Sequence, residues 1–242
     1  MARRPRSYVI EHMEEGMHDW CKLEYEHMVS VCGPEHVYFT ALTPKTLADM
    51  PETLAKAHCH TEDIMSLGIP LENVCLLDPA SPTVLGPEDG DKFEFFLFGG
   101  ILGDDPPRDR TGELRKLGFA TRHLGPVQMT TDTAVNVTRR IVEDRIPLDK
   151  IPFVDHPEIK LGKRESVTMP FRYIVKEPST STPAPEGTPA PEGTPAPEGT
   201  PAPEETTGTT KKSRRAKGPE PLLPPGMLEL LKKDNDAALD LL

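Results

Sequence analysis

The chain has 242 residues and a mass of 26.7 kDa, which is enough for one domain of ordinary size with a tail. No run of apolar residues approaches the length of a membrane span, which excludes a membrane-spanning protein. The net charge of −11 argues against a protein that binds the phosphate backbone of nucleic acid, and it favours a cationic partner or a small molecule.

Short apolar runs alternate with amphipathic stretches through residues 7–176. In chain order the pattern predicts a strand at 7–12, a helix over 18–31, a strand at 36–42, a helix over 44–57, and strands at 74–78 and 92–100. A short helix over 110–117, a short strand at 118–125 and a long helix over 132–145 follow. Almost continuously apolar strands that alternate with helices are typical of an α/β fold with a buried parallel sheet.

The C-terminal part has a different composition. The motif TPAPEG repeats three times from residue 182 and ends as TPAPEE at residue 205, which predicts an extended, disordered spacer. The basic stretch at 211–218 is best interpreted as a solvated part of this linker, and a nuclear-import or nucleic-acid patch is the alternative. Apolar residues at helical spacing in 224–242 predict one or two helices that dock on the body.

The cysteines and the N-terminus indicate the cellular compartment. Four cysteines lie far apart and form no CxxC pair, so we expect neither a metal site nor a disulfide framework. The N-terminus carries no apolar signal segment. We therefore expect a reducing, cytoplasmic location.

Ligands of open parallel sheets bind beyond the carboxyl ends of the strands. The loops expected there are 11–16, 77–81, 99–111 and 123–133. Glycines at 99, 100 and 103 follow a buried strand and let the backbone approach a ligand closely. The loop 123–133 leads into a helix with threonines suited to its N-cap. Taken singly, the first loop also fits a charged surface turn, and the second fits a simple helix start.

Together, the segments FGGILGD at 98–104 and LGPVQMTTDTA at 124–134 are similar to the two cofactor loops of SPOUT methyltransferases. The segments YVIEHMEEG, LLDP, FGGILGDDPPRDRT, QMTTDTA, MPFRY and PGMLELLKKD resemble one branch of that superfamily, the fungal protein arginine methyltransferases that act on a small-subunit ribosomal protein. The resemblance covers about residues 7–176 and 222–242. The segment Met129–Asp132 departs from the common pattern, in which an arginine often precedes the glutamate-like position, and this weakens any RNA-type mechanism that uses that arginine.

The resemblance implies an α/β fold with a deep trefoil knot that binds S-adenosylmethionine, without a metal. The residues implied to line the cofactor site are Pro79, Phe98, Gly99, Gly100, Leu102, Gly103, Leu124, Gly125, Met129, Thr130, Thr131 and Ala134. It divides the chain into a methyltransferase domain at 1–150, a C-terminal subdomain at 151–176 and 222–242, and a linker at 177–221.

An arginine acceptor needs carboxylates, because its guanidinium is protonated and must be held and relieved of a proton. Acidic residues follow the first strand and the Gly-rich loop, and we predict Glu14, Asp104 and Asp109 as the catalytic carboxylates. Solvated surface acids are the alternative for each of them. His12 and His123 are alternative bases.

The acidic body favours protein arginine methylation on a basic ribosomal protein and disfavours direct nucleic-acid binding. RNA methylation is the second hypothesis, and a cofactor-binding interaction module without catalysis is the third. SPOUT enzymes usually dimerise through the helix after the cofactor loop. In this chain that helix has one apolar face, which the sheet can cover, so a monomer is favoured over a homodimer.

Overall fold

The computed structural model describes residues 6–100, 109, 111–162, 165–177 and 218–239. Residues 236–239 are described by their backbone alone. Its strands are β1 Ser7–His12, β2 Val37–Thr40, β3 His58–Cys59, β4 Val74–Leu77, β5 Phe95–Gly100, β6 Ala120–Arg122, β7 Phe153–Asp155, β8 Glu158–Lys160, β9 Ser166–Thr168 and β10 Arg172–Ile174. Its α-helices are α1 Asp19–Cys32, α2 Pro44–Ala48, α3 Asp89–Lys92, α4 Gly112–Arg115, α5 Thr131–Val142 and α6 Met227–Leu239.

Six strands form one sheet in the order β3-β2-β1-β5-β4-β6, and all of its pairings are parallel. The apolar segments β1 and β5 lie at its centre, with Ile10 opposite Phe98. The middle of each strand is apolar, as burial on both faces requires, whereas β1 ends on the buried polar residues Glu11 and His12. The predicted α/β fold with a parallel sheet is confirmed, whereas the trefoil knot stays a prediction.

Helices and turns cover both faces of this sheet. On one face Tyr8 and Ile10 pack in a large cluster with side chains of α1 and α5, such as Tyr25 and Ile141. On the other face Val9 packs with Leu114 of α4 and others. Because successive side chains of a strand point to opposite faces, β1 contributes to both clusters.

Two helical predictions differ from the structure. The helix expected over 44–57 ends at Ala48, and a 3-10 turn over Glu52–Leu54 follows. Pro51 explains this end, because proline has no N–H to donate and disfavours helical backbone at the residue before it. In α1 the sequence pattern predicts that Trp20, Leu23, His27 and Val31 share one face, which is wrong in part, because the buried residues are Cys21, Glu24, Tyr25, His27 and Met28.

Short strands and the last helix extend this body. Strand β10 pairs antiparallel with β7, and β8 with β9. The amide of Leu222 donates to the carbonyl of Ile174 over 2.8 Å, and Met227 at the start of α6 is buried. The described residues up to Lys176 and from Pro219 onwards form one compact unit. The TPAPEG spacer lies outside the described residues, among which no helix is long and apolar enough to span a bilayer.

Candidate active site

A cavity of about 960 Å³ lies beyond the carboxyl ends of β4 and β5. Three walls surround it. The strand-end wall consists of residues 77–80, Phe98 and Gly99; the loop wall consists of residues 124–131 and Ala134; the third wall consists of Trp20, Glu24, residues 167–171 and Leu231. Its position is the one that an open parallel sheet offers to a ligand.

The strand-end wall combines an apolar ring with open backbone. Phe98 is buried at the end of β5. A Cβ atom added to Gly99 would come no closer than 3.4 Å to its nearest neighbour, the Sδ atom of Met13, so this backbone is not crowded. An aromatic ring beside accessible peptide groups suits a ligand with a flat heterocycle.

The loop wall is fixed in place by hydrogen bonds and backbone geometry. Gly125 has a φ of +95°, which disfavours any residue with a side chain. Its amide donates to Nδ1 of His123 over 3.0 Å. The amide of Arg172 in β10 donates to the carbonyl of Gln128 over 2.9 Å, so the short C-terminal strands hold this wall.

The charged side chains that line the cavity, within the described part of the chain, are all acidic: Glu24, Asp78 and Asp109. Arg115 binds two of them, with Nη2 donating to Asp78 over 2.8 Å and Nη1 donating to Asp109 over 2.9 Å. The hydrogen bond from Arg115 lowers the pKa of Asp78 below its ordinary value despite burial. These two carboxylates are therefore ionised, and both bind the same cation.

Glu24 has a different environment. The indole Nε1 of Trp20 donates to its carboxylate over 2.6 Å. Burial raises the pKa of Glu24 well above its ordinary value, and the negative charge of Asp132 raises it further. Hydrogen bonds from Trp20 and from the backbone of Asp132 and Thr131 act in the opposite direction. Asp132 itself contacts Nδ1 of His27 over 2.7 Å.

The structure brings most of the predicted cofactor residues into the walls of this cavity: Pro79, Phe98, Gly99, Leu124, Gly125, Met129, Thr130, Thr131 and Ala134. Gly100 is not in a wall. A Cβ atom there would lie 2.6 Å from Cγ2 of Ile10 and 2.7 Å from the hydroxyl of Tyr25, so this glycine permits close packing of β5 on the core. Leu102 and Gly103 lie outside the described residues.

Of the predicted carboxylates and bases that the structure describes, only Asp109 lines the cavity. Asp109 lines the cavity but is paired with Arg115. Glu14 is half-buried in the bend after β1 and is not among the described lining residues. Asp104 lies outside the described residues. His12 is buried, with Nδ1 2.8 Å from the hydroxyl of Tyr25, and burial lowers its pKa; His123 supports the turn at Gly125.

The third wall was not predicted from the sequence. Its residues come from α1, from β9 and the segment between β9 and β10, and from α6, which are far apart in the chain. A local signal exists for Glu24, because Trp20 precedes it by four residues and such a pair shares one helix face. Asp78 lies within the predicted loop 77–81. Among the described residues, no group of three or more His, Cys, Asp or Glu could hold a metal ion.

The solved structures that this chain matches are SPOUT methyltransferases, so the parallel sheet with a cavity at the carboxyl ends of its strands is an α/β fold of the SPOUT type. The model of the family described as "Protein arginine N-methyltransferase SFM1-like" matches residues 7–188. Protein arginine N-methyltransferase SFM1 of Saccharomyces cerevisiae is 37% identical over an alignment of 247 positions, which covers 96% of this chain and 97% of the relative. The chain belongs to the SFM1-like family.

Solved structures of yeast SFM1 agree with this assignment. The structure of the yeast arginine methyltransferase SFM1 complexed with SAM matches with a TM-score of 0.73 and 36% identity, over 96% of this chain and 92% of that one. The structure of the same enzyme complexed with SAH matches with a TM-score of 0.72 and 36% identity, over 93% and 94% of the two chains.

Proposed function

We propose that the protein is an S-adenosylmethionine-dependent protein arginine N-methyltransferase whose acceptor is an arginine of a basic small-subunit ribosomal protein. The observation that supports this most is the cavity itself, where the strand-end wall and the loop wall meet beside acidic side chains. The membership of the family and the SAM and SAH complexes of yeast SFM1 support the same methyl donor.

The residues fit this donor. Phe98, Leu124 and Met129 provide apolar surface for adenine, and the uncrowded backbone at Gly99 leaves peptide groups accessible to it. The volume of about 960 Å³ leaves room for an acceptor side chain beside the donor. When bound, the donor supplies a methyl group on a sulfonium, which is electrophilic without a metal.

The acidic lining indicates the chemical class of the acceptor. In the described residues no Lys or Arg lines the cavity, whereas three carboxylates do. A site for phosphate-rich RNA would present cations. A guanidinium needs carboxylates that accept its N–H groups. The cavity thus favours an arginine of a basic protein over an RNA base.

Labelling tests this function directly. The protein is incubated with isotopically labelled S-adenosylmethionine and, in separate reactions, purified small-subunit ribosomal proteins and ribosomal RNA. We expect label on an arginine of a ribosomal protein, located by mass spectrometry, and none in the RNA. Label in RNA, or in neither fraction while the donor binds, would contradict the proposal.

We also propose that the enzyme is a monomer. Helix α5 is buried along most of its length, and α1, α3, β5 and β10 of the same chain pack around it. Little of α5 is left for a second copy. Sedimentation equilibrium at micromolar concentration should give the mass of one chain, and a stable two-fold assembly would contradict this.

A further inference from the structure

We propose that Glu24 is the carboxylate that binds the acceptor guanidinium and receives its proton, at the third wall of the cavity. This inference rests on the proposed function, since it assigns the acceptor subsite of the same reaction. It replaces Glu14 and Asp109 in that role with a residue of α1.

The position of Glu24 is the first argument. Its carboxylate accepts the indole N–H of Trp20 from the third wall, and it also accepts backbone N–H groups of Thr131 and Asp132 from the start of α5. Thr131 belongs to the loop wall. Glu24 therefore lies where the wall assigned to the methyl donor meets the third wall, and the reacting atoms must come together at such a junction.

Charge is the second argument. Arg115 forms an ion pair with both Asp78 and Asp109, whereas Glu24 forms no ion pair with a described Lys or Arg. Glu24 is only 6% exposed, and this burial disfavours its ionised form and raises its pKa. A buried carboxylate without a cation is costly, and a guanidinium from a substrate would relieve that cost.

The surroundings of Glu24 add unused hydrogen-bonding capacity. Asp132 is 2% exposed, and its Oδ1 has no hydrogen-bond partner among the described residues, although its other oxygen contacts His27. The hydroxyl of Tyr173 on β10 is also buried, and no described residue forms a hydrogen bond with it. Burial and the charges of Asp132 and Glu24 raise the pKa of Tyr173, so this phenol stays neutral. The cluster is thus rich in acceptors, as a multidentate cation such as guanidinium requires.

Trp20 supplies a second means of holding the cation. Trp20 lines the cavity and packs against the apolar cluster of Ile159, Met169 and Phe171. A guanidinium is attracted to the face of an indole ring, and it can stack there while its N–H groups reach a carboxylate. The hydrogen bond between Trp20 and Glu24 keeps the ring and the carboxylate beside each other.

The chemical step balances with these groups. A new N–C bond forms with the lone pair of a guanidine nitrogen, while the C–S bond of the donor breaks and its electron pair stays on sulfur. The nitrogen loses one proton, which the Glu24 carboxylate receives. Burial and Asp132 raise the pKa of this carboxyl, which makes it a better proton acceptor than an exposed glutamate.

The test compares three variants on the same helix. Glu24→Gln keeps the shape and removes the charge, Glu24→Asp keeps the charge on a shorter side chain, and Glu26→Gln is the control, because Glu26 contacts Thr53 and is not a lining residue. Each is measured for thermal midpoint, affinity for S-adenosylmethionine by calorimetry, and kcat and KM for methyl transfer to the labelled ribosomal protein.

We expect Glu24→Gln to lower kcat by about 10²-fold or more while the donor affinity changes less than about threefold. Glu24→Asp should retain more transfer than Glu24→Gln, and Glu26→Gln should match the wild type. Wild-type kcat in Glu24→Gln would overturn the proposal and leave the proposed function intact. Parallel loss of donor affinity and folding in both Glu24 variants would show that Glu24 only caps α5. Failure of the wild type to label any arginine would contradict the proposed function itself.

Discussion

At the scale of single residues, two glycines with positive φ form a matched pair. Gly118 has a φ of +88° and Gly125 a φ of +95°, and a Cβ atom at either would find open space or ordinary contacts. Alanine at either position should lower the free energy of unfolding by about 1–2 kcal/mol, because the backbone strain is similar.

Only Gly125→Ala should also weaken donor binding, by about tenfold, because Gly125 is in the loop wall and Gly118 is not. Chemical denaturation and calorimetry with S-adenosylmethionine give the two quantities for each variant. Equal donor affinity in both variants would contradict a role for the loop wall in binding.

Arg115 offers a second prediction at this scale. Arg115→Gln removes the cation from the buried Asp78 and should lower the urea midpoint far more than Lys116→Gln, which breaks an exposed pair with Glu113. Because the Arg115 hydrogen bond lowers the pKa of Asp78, its stabilisation is full above the unfolded pKa near 4 and is lost as pH falls through the lower folded value.

The difference in urea midpoint between the wild type and Arg115→Gln should therefore narrow between pH 7 and pH 3. Denaturation followed by far-ultraviolet circular dichroism at both values measures it. A difference that stays constant or widens on acidification would mean that the pair with Asp78 does not account for the effect.

The sequence predicts the strand-end and loop walls well, because the signals for these walls come from residues that are close together in the chain. Glycines, a strand end and a helix start are coded by neighbouring residues, so the pattern indicates the two loops, and the resemblance to SPOUT methyltransferases adds Phe98, Gly99 and Gly125. The spacing of Trp20 and Glu24 is visible in the sequence, but the burial of Glu24 is not, because it depends on packing against Asp132 and Thr131, which are more than 100 residues away. Asp109 does line the cavity, but its pairing with Arg115 depends on the fold.

At the scale of elements, α6 packs against the rest of the protein with one face and exposes the other. Met227 is 1% exposed, whereas its neighbour Leu228 is 41% exposed. Met227→Ala should lower the free energy of unfolding by about 2–4 kcal/mol through the cavity it leaves, and Leu228→Ala should change it by less than about 0.5 kcal/mol. Urea denaturation of both variants measures this, and similar losses would mean that α6 does not dock as described.

Elements with a strong local pattern are predictable, and those that depend on partners are not. Strand β1 has the bounds that its apolar run predicts, and α5 begins one residue before the predicted start. Strand β3 has two residues and exists only because it pairs with β2. Strands β7 to β10 have three residues each, which is too short for a periodic signal.

At the scale of the whole molecule, the segment between Lys176 and Glu220, which contains the TPAPEG repeats, is expected to be dispensable. The two residues that flank it are hydrogen-bonded to each other, because the amide of Lys176 donates to the carbonyl of Glu220 over 2.8 Å. Deletion of residues 182–205 more than halves the length of chain between these ends. The lower entropy of loop closure should stabilise the body by about 0.7 kcal/mol and leave methyl transfer unchanged. Chemical denaturation and the labelling assay measure both, and a loss of either would assign the repeats a role.

The central claim is that the methyl donor binds between the strand-end wall and the loop wall, next to Glu24. A crystal structure of this protein with S-adenosylhomocysteine tests it most directly. We predict the adenosyl group between Phe98 and residues 124–131, with the sulfur facing Trp20 and Glu24. Density for the ligand outside this cavity, or with its sulfur turned away from Glu24, would contradict the claim.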